Sequence, residues 1–93
     1  MPQRLTETEI QRALNDSPWQ LQEGKLHREF TFDDFVSAFG FLTQVAIHAE
    51  KMNHHPELHN VYNSVTIELV THDVDGISDL DVKLAEVIDT LVS

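Results

Sequence analysis

Apolar positions recur along this chain at two spacings, every third or fourth residue and every second residue, and the switches between them predict seven elements. Thr6 to Leu14 reads as a short helix. Thr6 caps it and Glu9 reaches back to form a capping box, while Leu5 and Ile10 stand at the positions of a hydrophobic staple. Asn15, Asp16, Ser17 and Pro18 end it. Trp19 to Glu23 is a short strand with Trp19 and Leu21 on one face, and Glu23-Gly24 is a hairpin turn. In the partner strand, Lys25 to Phe32, the residues Leu26, Phe30 and Phe32 share one parity and His27, Glu29 and Thr31 the other. That alternation marks a sheet covered on one face.

Asp33 to about Met52 is the longest helix, with Asp33 and Asp34 suited to its positive end. Phe35, Phe39, Leu42, Ala46 and Ala49 follow helical spacing, and Val36, Val45 and Ile47 widen the apolar surface. The spacing accounts for Phe30, Phe32, Phe35, Phe39 and Phe41 as core residues without a ligand-stacking role. Ala38 and Gly40 permit close approach of another element. Glu57 to Tyr62 is a strand, Asn63-Ser64 a turn, and Val65 to Thr71 a strand that is either central or an edge open to another subunit. His72 to Ile77 is a loop with Gly76 as its turn residue. Ser78 to Val92 is the last helix: Ser78 caps it, Asp81 is its third residue, Ile77 and Val82 staple it, and Leu80, Leu84, Val87, Ile88 and Leu91 form its buried stripe. The order α-β-β-α-β-β-α, with short turns inside each strand pair, predicts an α+β two-layer domain over residues 1–93: a four-stranded antiparallel sheet with three helices on one face.

Composition narrows the function. The net charge is −10 and only six residues are Lys or Arg, which argues against direct binding to nucleic acid. No cysteine is present, so disulfides and thiolate metal sites are ruled out. No stretch approaches membrane-spanning length and no leader pattern opens the chain, so a soluble cytoplasmic protein is expected. A 93-residue chain buries a small core, and oligomerisation would help it.

The candidate chemistry lies at Glu50 to Pro56, where His54 and His55 stand at a helix exit and Pro56 stops the helix. The plain reading is a pair of exposed polar residues. A metal site would use the four-residue spacings Glu50/His54 or His55/His59, but Pro56 breaks any helix between the latter two. Nucleophilic catalysis has no cysteine and no serine elbow to work with. General acid–base catalysis needs only positioned imidazoles and an orienting carboxylate, and His72 supplies a third imidazole.

These residues also carry a resemblance. The run Glu50-Lys51-Met52-Asn53-His54-His55-Pro56, then Asn60-Val61-Tyr62-Asn63, Thr71-His72-Asp73, Gly76 and Asp81, resembles the pterin-4a-carbinolamine dehydratase family. The match extends upstream through Trp19, Glu23-Gly24, Phe30, Phe32 and Ala38 to Ala46. The resemblance implies a four-stranded antiparallel sheet with helices on one side, and dimers, or tetramers built from dimers. It implies dehydration of 4a-hydroxytetrahydropterin to quinonoid dihydropterin without cofactor or metal, in a recycling route that serves aromatic amino-acid hydroxylases. His54, His55 and His72 would line the pterin pocket, Glu50 and Asp81 would support them, and Pro56, Leu58 and Asp73 would complete the binding set. His55 and His72 are assigned the proton transfers and His54 binding and orientation. Asp81 could instead serve only its helix end, and Glu50 could pair with Lys51 or a histidine. Leu58 departs from the aromatic residue usual at its place, and His59 reads as surface. The alternative function is a non-catalytic interaction protein, a dimerisation partner of a homeodomain transcription factor, acting through the exposed side of the Asp33–Met52 helix.

Overall fold

Alternation on the two central strands sets the architecture. In a computed structural model, which describes residues 2–93, the order is α1 (Glu7–Leu14), β1 (Gln20–Gln22), β2 (Lys25–Thr31), α2 (Phe35–Met52), β3 (Glu57–Val61), β4 (Ser64–Leu69) and α3 (Asp79–Val92), with a 3-10 turn at His72–Val74. The strands pair antiparallel in the order β1-β2-β4-β3, so β4 is central and β1 and β3 are the edges. Register places Leu26 opposite Leu69 and Phe30 opposite Val65. These residues and Ile67 are buried with Ala38, Phe41, Leu42, Val45, Leu84 and Ile88 from the helices. An α+β sheet with its helices on one face results, because only one parity of each central strand is apolar. No helix among the described residues is long and apolar enough to cross a membrane.

The caps form as their residues dictate. Thr6 and Glu9 close one capping box, Ser78 and Asp81 another, and the Asp34 carboxylate accepts from Ser37 N–H at 2.7 Å. Several expectations are corrected. Trp19 precedes β1 and is buried, whereas Leu21 is 45% exposed; the indole N–H of Trp19 donates to Asp89 of α3 at 2.8 Å, which draws the ring inward independently of strand parity. Phe35, Phe39 and Ala46 are exposed, since α2 packs through Ala38, Phe41, Leu42, Val45 and Ala49. Phe30 and Phe41 do lie in the core, with Phe32 packed against it. Gly40 is exposed with open space beside it, so within this chain nothing approaches it closely; Ala38 alone is buried. The second hairpin turns at Tyr62 and Asn63, one residue earlier than expected, with Tyr62 at φ 51°, and β4 ends at Leu69. In the loop after β4 the left-handed residue is Asp75, not Gly76; a Cβ at Gly76 would meet Arg4 Nε at 2.9 Å, a contact the flexible Arg4 side chain can relieve by moving.

The outer sheet face carries a charge cluster. His27 Nδ1 lies 2.8 Å from Glu68 Oε2 and its Nε2 lies 3.0 Å from Glu29 Oε2. Ionised carboxylates only accept, so both ring nitrogens donate and the ring is an imidazolium. Its pKa is raised, by the hydrogen bond to Glu29 first and that to Glu68 next. A raised folded-state pKa contributes stability that is complete below the ordinary histidine value of about 6.5 and is lost as pH rises through the raised value. His27→Gln should therefore lower the Tm most near pH ~6, with the deficit shrinking towards pH ~9. Thermal unfolding across that range measures it; a deficit independent of pH would contradict the assignment.

Candidate active site

The site begins where α2 ends. Asn53 adopts the left-handed conformation, φ 51° and ψ 42°, and the chain closes a Schellman motif: Asn53 N–H donates to the Glu50 carbonyl and His54 N–H to the Ala49 carbonyl, each at 3.1 Å. Pro56 prevents further helix. The reversal turns His54 inward, where it is 8% exposed, and leaves His55 outside. β4 delivers Thr71 and His72 beside them, and Thr71 is pinned by backbone hydrogen bonds with Gly76.

Each imidazole has its own carboxylate, in graded burial. His54 Nε2 lies 2.6 Å from Asp81 Oδ1, and Asp81 is 0% exposed. His55 Nε2 lies 2.9 Å from Glu50 Oε1, with both groups exposed. His72 Nε2 lies 3.9 Å from Glu57 Oε2, while the other oxygen of Glu57 accepts from Lys25 Nζ at 2.7 Å. The second oxygen of Asp81 accepts from the Thr71 hydroxyl at 2.7 Å and from Ser78 N–H at 2.9 Å. A buried, paired and hydrogen-bonded carboxylate holds its neighbour's orientation far more firmly than an exposed pair, which water and salt screen.

Asn53, His54, His55, Val70, Thr71, His72 and Asp73 line one open depression of ≈ 250 Å³. The fold thus brings together His54, His55, His72 and Asp73, and places Asp81 behind His54. Glu50 reaches the site only through His55. Pro56 is half-buried next to it, and Leu58, exposed on edge strand β3 opposite Ile67, does not line it. Glu57 and Thr71 were missed as site residues. The only sequence signal for Glu57 was adjacency to the His-His-Pro run, whereas Thr71 stood in the Thr71-His72-Asp73 run of the resemblance without being given a role. Ser78 was read only as a cap. A wider hollow of ≈ 420 Å³ beside β1 and β2 contains His27, but that ring is already committed to two carboxylates, so the smaller depression carries the better chemistry. Among the described residues no three His, Asp or Glu side chains converge as a metal-binding group.

Comparison with known proteins gives the family. The family model for pterin 4 alpha carbinolamine dehydratase matches residues 3–91. The chain belongs to that family. A protein of Solibacter usitatus, provisionally named a pterin-4-alpha-carbinolamine dehydratase, is 53% identical over 94 residues, covering 100% of this chain and 99% of the relative. A Prochlorococcus marinus protein with the same provisional name is 60% identical over 73 residues, 78% of this chain and 76% of the relative. The solved structure of a transcriptional coactivator/pterin dehydratase from Brucella melitensis superposes with a TM-score of 0.93 at 41% identity, covering 98% of this chain and 100% of that one. A pterin dehydratase-like RuBisCO assembly factor of the alpha-carboxysome shares the fold, with a TM-score of 0.66 at 21% identity over 81% of this chain and 87% of that one.

Proposed function

We propose that this member of the family dehydrates 4a-hydroxytetrahydropterin to quinonoid dihydropterin by general acid–base catalysis. The observation that carries the reading is three imidazoles lining one depression, one of them backed by a buried carboxylate. Hydroxide leaves poorly, so an imidazolium at the rim, His55 or His72, donates a proton as the C4a–O bond breaks and water departs. A neutral imidazole accepts the ring N–H proton, and the freed electron pair forms the new double bond. One histidine loses a proton and another gains one, so exchange with water restores the site. The sequence alone suggested that His54 only orients the pterin; its bond to buried Asp81 supports giving it the accepting role, because a fixed anion stabilises the imidazolium that forms. General acid–base assistance of this kind contributes ~10²–10⁴-fold. Glu50, Pro56, Leu58, Asp73 and Asp81 complete the proposed set as supporting and binding residues. The product would be reduced again in a route serving aromatic amino-acid hydroxylation, in the cytoplasm.

The test is direct. Purified protein should accelerate dehydration of enzymatically made 4a-hydroxytetrahydropterin, followed by ultraviolet absorbance, with a chelator present and no metal added. Activity lost on chelation and restored by zinc would overturn the metal-free mechanism, and no acceleration under any condition would overturn the enzyme reading.

A second reading has its own observation. Val36, Phe39 and Ile47 are 78%, 55% and 53% exposed on α2, an apolar surface that suits a homodimer, a homotetramer or a protein partner. The coactivator role in the name of the Brucella protein makes a partner role here a proposal of the same kind.

A further inference from the structure

We propose that Thr71, backed by Ser78, is a positioning residue: the two hydroxyls fix Asp81 and, through it, set the strength of the Asp81–His54 hydrogen bond. The kinetic consequence rests on the dehydratase reading; the hydrogen-bond chain itself does not.

Donor and acceptor accounting leaves one arrangement. Ionised Asp81 can only accept, so the Thr71 hydroxyl spends its single proton on Oδ2 at 2.7 Å. The 2.6 Å contact between the Thr71 and Ser78 hydroxyls then has one direction, with Ser78 donating and Thr71 accepting. Ser78 Oγ in turn accepts Leu80 N–H at 3.2 Å. Protons therefore point one way along Leu80, Ser78, Thr71 and Asp81. At the far oxygen, His54 must present Nε2–H to Oδ1. Among the described residues every fully buried side-chain nitrogen and oxygen has a partner, and Nδ1 of His54 has none. That nitrogen is thus the accessible side of a ring that lines the depression.

A helix cap does not explain Thr71. The capping box is complete with Ser78 and Asp81 alone. Thr71 sits on the lip of the depression, between Val70 and His72, and meets Asp81 only because the fold returns the chain there. Donors on one carboxylate compete for the same negative charge, and linked hydroxyls polarise one another. Removing the Thr71 hydroxyl should make Oδ1 a stronger acceptor towards His54 while freeing the carboxylate to rotate.

The experiment is NMR of the full chain carrying ¹⁵N-labelled histidine, reading the Nε2–H resonance of His54, with dehydration kinetics alongside. Thr71→Val should move that resonance downfield and lower kcat about tenfold to a hundredfold, the scale of a small misplacement of a reacting group, with KM changing less. Thr71→Ser, which keeps the hydroxyl, should restore both. Ser78→Ala, which leaves the Thr71–Asp81 bond in place, should move the resonance the same way by a smaller amount; it serves as the readout if Thr71→Val does not fold. An unmoved resonance in a folded Thr71→Val or Ser78→Ala protein overturns the proposal whatever the activity. A moved resonance in a protein without dehydratase activity would support the hydrogen-bond chain and reject the enzymatic reading separately.

Discussion

Asp81→Asn is expected to lower kcat for the proposed dehydration by ~10²–10⁴-fold with the fold intact. The orientation of the new amide is forced. Ser78 N–H and Thr71 O–H both donate to the Oδ2 position, so the amide oxygen must take that place and its NH₂ must face His54. A donor then meets the Nε2–H of His54. The imidazole relieves the conflict by carrying its proton on Nδ1 and accepting at Nε2. The accessible nitrogen is then no longer a base, and no carboxylate stabilises an imidazolium. Backbone capping survives, because an amide oxygen accepts as a carboxylate oxygen does. Steady-state kinetics with circular dichroism as the folding control measures the effect, and wild-type kcat in a folded variant would remove Asp81 from the mechanism. His54→Ala is a poorer probe, since it strands a buried carboxylate without its partner at a cost of about 3–5 kcal/mol.

Phe39→Glu is expected to lower the molecular mass in solution. The wild-type chain should be at least a dimer at micromolar concentration, because its own core is small and both an edge strand and an apolar helix face are open. Phe39 lies 5.8 Å from Phe35 between ring centroids and stands one turn beyond Val36 on that face, beside Gly40, where a packed partner could approach closely. Burying a carboxylate there costs several kcal/mol, and every 1.4 kcal/mol is about tenfold in association. Light scattering of both proteins checks it. A monomeric wild type would refute the assembly, and an assembly indifferent to the charge would move the interface from α2 to the sheet edges.

The misplacement of Phe35 and Phe39 shows where the sequence loses its grip. α2 is apolar nearly all round, with Phe35, Val36, Ala38, Phe39, Phe41, Leu42, Val45, Ala46, Ile47 and Ala49 inside eighteen residues. Two stripes one residue apart fit helical spacing almost equally well. Packing against Phe30, Val65 and Ile67 chose the one that presents small Ala38, Val45 and Ala49 to the sheet. Trp19 failed for a related reason: alternation over a three-residue strand is weak evidence, and the ring answers to Asp89, seventy residues away.

What the sequence determined by itself was what depends on near neighbours. The capping boxes at Thr6/Glu9 and Ser78/Asp81, the stop at Pro56, the parity of β2 and β4, and hence the α+β order all follow from residues a few positions apart, whose geometry is set by the backbone. The ordered run from Glu50 to Asp81 also pointed to the family, and so to His54, His55 and His72 as a set. Only the tertiary structure decided how those histidines differ. Burying His54 on Asp81 required α2 and α3 to meet, and joining Thr71 to Asp81 required the chain to return past Gly76. A carboxylate at the third position of a helix looks the same in sequence whether it faces water or an imidazole; burial, which depends on the whole fold, decides whether it is a cap alone or also the anion that holds a buried imidazole in place.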